Sequence, residues 1–243
     1  MTNRMIETSP LVYARAAGLL YLIIIVLGLF AEIFVRSSII TPGDATATAG
    51  SILGAEGLFR AGFLADSIML LSDVALAVLL FTLLKPVNKT LALVALFFRL
   101  TQTAVIAVNL LNYYAAVLLL KGPGYATIFG VAQLNSLSLL FLDLHSYGYD
   151  LGLILFGVHC LILGYLIAKS LYLPKAIGYL VMAAGVTYLI GSYTRFLFPD
   201  FVGAVSPIYV VPIVSELSLC LWLLIKGVDL ERWREVTGSA GVV

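Results

Sequence analysis

Residues 91–120 read LALVALFFRLTQTAVIAVNLLNYYAAVLLL, thirty positions carrying one formal charge, Arg99. A helix of that length runs about 45 Å, against roughly 30 Å of bilayer hydrocarbon. It therefore spans a membrane and tilts or projects beyond it. Working outward, five more stretches are apolar enough to cross: 13–35, 62–84, 151–168, 176–198 and 205–225, the last containing Pro207 and Pro212. Composition agrees, since 62% of the 243 residues are hydrophobic, 11% are charged and mean hydropathy is +1.08. Soluble domains average about 25% charged residues. The balance excludes disorder, nucleic-acid binding through a basic face and nearly every water-soluble enzyme, and a net charge of +1 implies no strongly acidic or basic partner. The expected fold is all-α: six transmembrane helices with one or two outer-side interfacial helices, forming one integral membrane domain over residues 1–243.

Basic residues set the expected orientation. With the N-terminus inside, Arg4, Arg15, Lys85, Lys89, Lys169, Lys175, Lys226, Arg232 and Arg234 face the cytoplasm, and Arg36, Arg60, Lys121 and Arg195 face outward. This bias predicts that both termini are cytoplasmic, and the expected location is the cell (inner) membrane. The first apolar run is long enough to span, so it reads as a retained helix and not a signal peptide. Counting Tyr125–Leu144 as a seventh span would reverse everything after it and leave five basic residues inside against eight outside. Gln133, Asn135, Ser136 and Ser138 interrupt that stretch, which reads instead as an interfacial or partly re-entrant outer helix.

The first outer loop turns at Pro42–Gly43, and a short helix starts where Asp44 can cap it. Ile52, Leu53, Leu58 and Phe59 are expected at the bilayer surface, and the end after Trp233 is expected to fray. HSYGYD, residues 145–150, reads as an interfacial aromatic belt with Asp150 capping the next helix. Asn88-Lys89-Thr90 matches a glycosylation sequon in a turn expected to be cytoplasmic, where it would stay unmodified.

Ionisable groups in hydrocarbon are costly and mark candidate sites. Asp73 lies 12 residues from Lys85, Arg99 10 from Lys89, His159 10 from Lys169 and Glu216 10 from Lys226. All four therefore fall about 15–18 Å deep, in one layer near the midplane. Helical spacing continues polar stripes from this layer: Asp66 and Asp73 on the second span, Arg99, Gln102, Asn109 and Tyr113 on the third, Tyr188, Ser192 and Arg195 on the fifth, and Tyr209 and Glu216 on the sixth. The stripes run outward, which predicts a polar cavity open to the outside. Arg99 needs a carboxylate, and Asp73 or Glu216 can supply it, leaving one carboxyl to be protonated or shared. The same groups would also serve as a purely structural ion-pair cluster.

Other chemistries fit poorly. Two histidines, His145 in the interfacial loop and His159 in a span, do not make a haem pair. No HExxH, GxSxG or phosphate-binding glycine loop occurs. Cys160 and Cys220 read as small buried hydrophobes with no disulfide framework. No metal site or cofactor is assigned.

Four stretches carry a family resemblance: FAEIFVRSSIITPGDATATA (30–49), DVALAVLLFTLLKPVNKTLALVALFFRLTQTAV (73–105), HSYGYDLGLILFGVHCLILGYLIAKS (145–170) and SELSLCLWLLIKG (215–227). They resemble the prokaryotic integral membrane family catalogued as domain of unknown function 4386. The resemblance implies a multi-span bacterial or archaeal protein and brings no substrate, cofactor or reaction. The favoured expectation, resting on the Asp73–Arg99–Glu216 layer alone, is a transporter-like protein binding a polar solute, cation, proton or lipid headgroup. Its partners are the bilayer and that ligand, with no nucleic acid. A membrane-embedded enzyme acting on a lipid or outer-side substrate, and a structural or regulatory protein, are the alternatives. Substrate and oligomeric state are not legible.

Overall fold

A computed structural model describes residues 9–122 and 124–238. Arg4 of the basic count, and residues 239–243 of the end expected to fray, lie outside the described residues. The chain is an all-α polytopic membrane protein, with no strand among the described residues. Its helices are α1 (Pro10–Ile39), α2 (Ala45–Gly54), α3 (Glu56–Leu84), α4 (Lys89–Lys121), α5 (Val131–Lys169), α6 (Lys175–Leu197), α7 (Val210–Ile225) and α8 (Leu230–Thr237). Six of these are long and apolar enough to cross a membrane: α1, α3, α4, α5, α6, and the helical run from Pro199 through α7.

Contacts group the chain into two compact units. The first holds residues 1–22, 73–102 and 153–243; the second holds 23–72 and 103–152. In the first unit α5 and α6 meet through four glycines. A Cβ added at Gly164 would lie 2.4 Å from the Gly178 carbonyl oxygen, and one at Gly185 would lie 2.7 Å from that of Gly157. The seven-residue spacing within each helix repeats the face every two turns, so the backbones approach as small-residue membrane packing requires. The Lys169–Lys175 turn is fixed by Tyr172, whose hydroxyl donates to the Leu83 carbonyl at 2.5 Å and whose ring meets Trp233 of α8. Burial pushes the Tyr172 phenol up, so it stays a donor. Asp229 caps α8 and Gly238, at φ +70°, closes it. The chain after Trp233 thus stays helical through Thr237, correcting the expected fraying there.

In the second unit α1 ends in a π-helical segment, Phe30–Arg36. Gly43, at φ +78°, makes the turn, and Asp44 accepts the Ala47 amide at 2.9 Å to start α2, as its sequence predicts. Ile52 and Phe59 are corrections: both are fully buried, packed with Val35, Ile39, Tyr113 and Leu142, while Leu53 and Leu58 are exposed as expected. Phe59 stacks on Tyr113 at 4.1 Å, and the Tyr113 hydroxyl donates to the Phe59 carbonyl.

The larger correction concerns residues 125–144. They form one short turn, Tyr125–Ile128, and then the first part of the 39-residue α5, continuous with the fourth span. Three of the four polar residues read as interruptions, Gln133, Ser136 and Ser138, have a helical role. Gln133 accepts the Gly130 amide at the helix start, and the Ser136 hydroxyl donates back to the Ala132 carbonyl. Ser138 donates across to the Ala116 carbonyl of α4. His145 and Asp150 consequently lie inside α5, buried, and neither an interfacial loop nor a helix cap exists there.

Candidate functional site

The faces read from helical spacing on the second and third spans are buried. On α3, Asp66, Met69, Asp73 and Ala77 are at most 6% exposed; on α4, Arg99, Gln102, Ile106, Asn109 and Tyr113 are at most 7% exposed. Within the first unit the structure brings Asp73, Arg99 and His159 together. Arg99 Nε and Nη2 donate to one oxygen of Asp73 at 2.9 and 2.5 Å, and Arg99 Nη1 lies 3.1 Å from His159 Nε2. An arginine can only donate, so His159 Nε2 accepts. The other ring nitrogen, Nδ1, lies 2.8 Å from the Ala95 carbonyl and donates to it. Both ring nitrogens are thereby engaged and the tautomer is set.

Two aromatic faces complete the surroundings of Arg99. Its guanidinium lies 5.6 Å from the Tyr21 ring centre and 5.2 Å from that of Phe156, within cation–π range. The burial cost of the cation is thus offset by a carboxylate, an imidazole and two rings.

Glu216 has a different partner. It accepts a hydrogen bond from the Tyr188 hydroxyl and is half-buried on α7. Phe156 joins the two groups, packing against His159 at 5.6 Å and edge-on to Tyr188 at 5.3 Å. Tyr188 also meets Tyr209 at 6.1 Å, and Tyr209 occupies the space a side chain at Gly191 would take. Ser192 is fully buried and Arg195 half-buried on the same helix. Gln102, one turn from Arg99, and Ser215, beside Glu216, each bury an oxygen without a hydrogen-bond partner among the described residues.

Asp66 and Asn109 belong to the second unit. Asp66 Oδ2 accepts from Arg36 at 2.7 Å, and Arg36 also donates to Glu32 one turn back. Asn109 donates to the His145 carbonyl at 2.6 Å and packs on Gly148, where a Cβ would come within 2.2 Å of its side-chain oxygen. Sequence reading missed Tyr21 and Phe156 as partners of Arg99, because aromatics are common in spans. It also left the Arg36–Asp66 pair unassigned, although the Glu32–Arg36 spacing of four carried a signal. Among the described residues, no three His, Cys, Asp or Glu side chains are grouped to hold a metal ion. Cys160 and Cys220 are free and buried, as expected of small core residues.

A protein of Archaeoglobus fulgidus, named only "Uncharacterized protein", is 30% identical over 167 residues, covering 68% of this chain and 83% of that one. No solved structure matches. The family model described as "Domain of unknown function (DUF4386)" matches residues 16–227, and the chain belongs to that family.

Proposed function

We propose that this protein is one integral membrane domain of the inner membrane, with cytoplasmic termini, that binds a proton or small cation at Glu216 in a transporter-like polar layer. The observation that carries this reading is the division of partners. Asp73 balances Arg99, whereas Glu216, the second carboxylate of the layer, is held by a tyrosine hydroxyl. Gln102 Oε1 and Ser215 Oγ add buried acceptor capacity, so the layer is rich in oxygens that a cation or a donor would satisfy. A polar solute or lipid headgroup bearing an ammonium would meet the same requirement. From Glu216 the polar groups continue along α6 through Tyr188 and Ser192 to Arg195, supporting entry from that end, the outer side on the proposed orientation.

A specific observation favours a structural role for part of the layer. The Asp73–Arg99–His159 trio is at most 5% exposed, and its paired geometry makes it a scaffold. Glu216 is then the exchangeable group. Proteoliposomes containing a pH-sensitive dye, or in parallel a sodium-sensitive dye, test this under an imposed potassium diffusion potential. The reading requires ion entry faster than in protein-free vesicles and its loss in Glu216→Gln. Entry no faster than in protein-free vesicles with both dyes, or unchanged in Glu216→Gln, contradicts it.

A further inference from the structure

Glu216 stands in surroundings poor in oxygen. One turn to either side, its face of α7 carries Pro212 and Cys220, and the Cys220 thiol donates to the Gly18 carbonyl. Tyr188 of α6 donates its hydroxyl to Glu216 Oε1 and sets its ring edge-on to Phe156. Tyr209 adds a second ring edge, but its hydroxyl lies beside Gly191, where a Cβ would come within 2.2 Å of it. Ser215 is adjacent in the chain and so is turned about 100° around α7 from Glu216. Gln102 belongs to α4, one turn from Arg99.

Countercharge is equally scarce. The charged and titratable groups acting on Glu216 are the Arg99–Asp73 pair from α4 and α3, Tyr188 from α6, Tyr21 from α1 and Cys160 from α5. Arg99 directs its N–H groups at Asp73 and His159, and Asp73 balances its charge. The phenols and the thiol bring no positive charge. Ionised Glu216 therefore has one hydroxyl donor and no cation of its own, and a positive group that enters is held by neutralising it. A metal cation would have to exchange its water for protein oxygens, about six or more for hard divalent ions and a ring of carbonyls for potassium. Glu216 and Tyr188 offer a carboxylate and one hydroxyl. A proton needs a single oxygen, and Glu216 Oε2, which Tyr188 does not use, supplies it.

We infer that the ion taken up at Glu216 is a proton and not a metal cation, and that Tyr188 is the positioning residue that holds the carboxylate once the proton has left. The inference rests on the reading of Glu216 as the exchangeable group. The proton comes from the medium to Oε2 and returns to the medium. Tyr188 keeps its own proton throughout and donates to Oε1 in both states, more strongly to the carboxylate.

Dicyclohexylcarbodiimide tests this on the full-length protein in proteoliposomes. Its nitrogen takes the carboxyl proton as the carboxylate oxygen bonds to its central carbon, so it reports a protonated carboxyl in apolar surroundings. Labelled Glu216 is located by peptide mass spectrometry across a pH series, in sodium chloride or choline chloride at equal ionic strength. Labelling is expected to fall as pH rises, to be the same in both salts and to be lost in Glu216→Gln. Tyr188→Phe removes the donor and should keep the labelling while moving its midpoint up by about one pH unit. Reaction of Glu216→Cys with N-cyclohexylmaleimide establishes that a reagent of this size reaches the position, and circular dichroism melts establish folding. Protection by sodium at fixed pH overturns the inference and leaves a cation at Glu216 standing. Absence of labelling at every pH also overturns it, and the ion-entry assay with the two dyes then decides the broader reading. An unmoved midpoint in folded Tyr188→Phe overturns the part given to Tyr188.

Discussion

Replacing Asp73 by Ala should be among the most destabilising single changes in this protein, because it strips the carboxylate from a cation that cannot leave the interior. Arg99 is 1% exposed and directs two N–H groups at one Asp73 oxygen. Removing one partner of a buried pair costs about 3–5 kcal/mol, since the other charge is left uncompensated. His159 and the rings of Tyr21 and Phe156 stay in place, and their cation–π contribution, about 0.5–2 kcal/mol each, already stabilises the wild type and so does not replace the lost carboxylate. The double variant Asp73→Ala with Arg99→Met removes both charges and gives the aromatic slot a side chain that packs there. Because it also leaves His159 Nε2 without its donor, it should recover only to within about 1–3 kcal/mol of wild type. Equilibrium unfolding in mixed micelles, run as a double-mutant cycle, measures this. A single variant within about 1 kcal/mol of wild type, or a double variant less stable than either single one, would refute the reasoning.

Three further outcomes follow from the packing. Gly164→Ala should cost about 1–3 kcal/mol or more by overpacking the α5–α6 contact, whereas Gly50→Ala, which meets nothing within 4 Å in the interior of α2, should stabilise by about 0.5–1 kcal/mol; the same unfolding assay reads both. Gly148→Ala drives a methyl into the Asn109 side chain and should be rescued in part by Asn109→Ala, detected as a non-additive melting temperature. Tyr113→Phe deletes the hydroxyl bonded to the Phe59 carbonyl while keeping the ring stack, and should lower stability by about 1 kcal/mol, with faster amide exchange near Phe59.

The six long helices were legible because a span is a matter of length and hydropathy, and the buried faces of α3 and α4 because costly polar groups repeat with the helical period. Residues 131–144 misled for a physical reason. Gln133, Ser136 and Ser138 look like breaks in a hydropathy profile, yet as side chains they cap, back-bond and cross-link a continuous helix. His145 was misplaced with them. The acid–base layer offered Asp73 or Glu216 equally as the carboxylate for Arg99; only the fold distinguishes them, because Tyr188, 28 positions from Glu216, arrives on another helix. The glycine pairs of α5 and α6 were equally hidden, since a glycine at seven-residue spacing declares no partner until two backbones meet.

Glu216 is proposed to exchange a proton or cation while Asp73, Arg99 and His159 hold the bundle. Infrared difference spectra of the reconstituted protein, taken on changing pH and on exchanging sodium for potassium, test it most directly. The account predicts a carboxyl or carboxylate signal that responds to one of these exchanges, disappears in Glu216→Gln and persists in the Gly50→Ala control. A spectrum without a carboxyl response to either exchange, or a response that survives in Glu216→Gln, would contradict it.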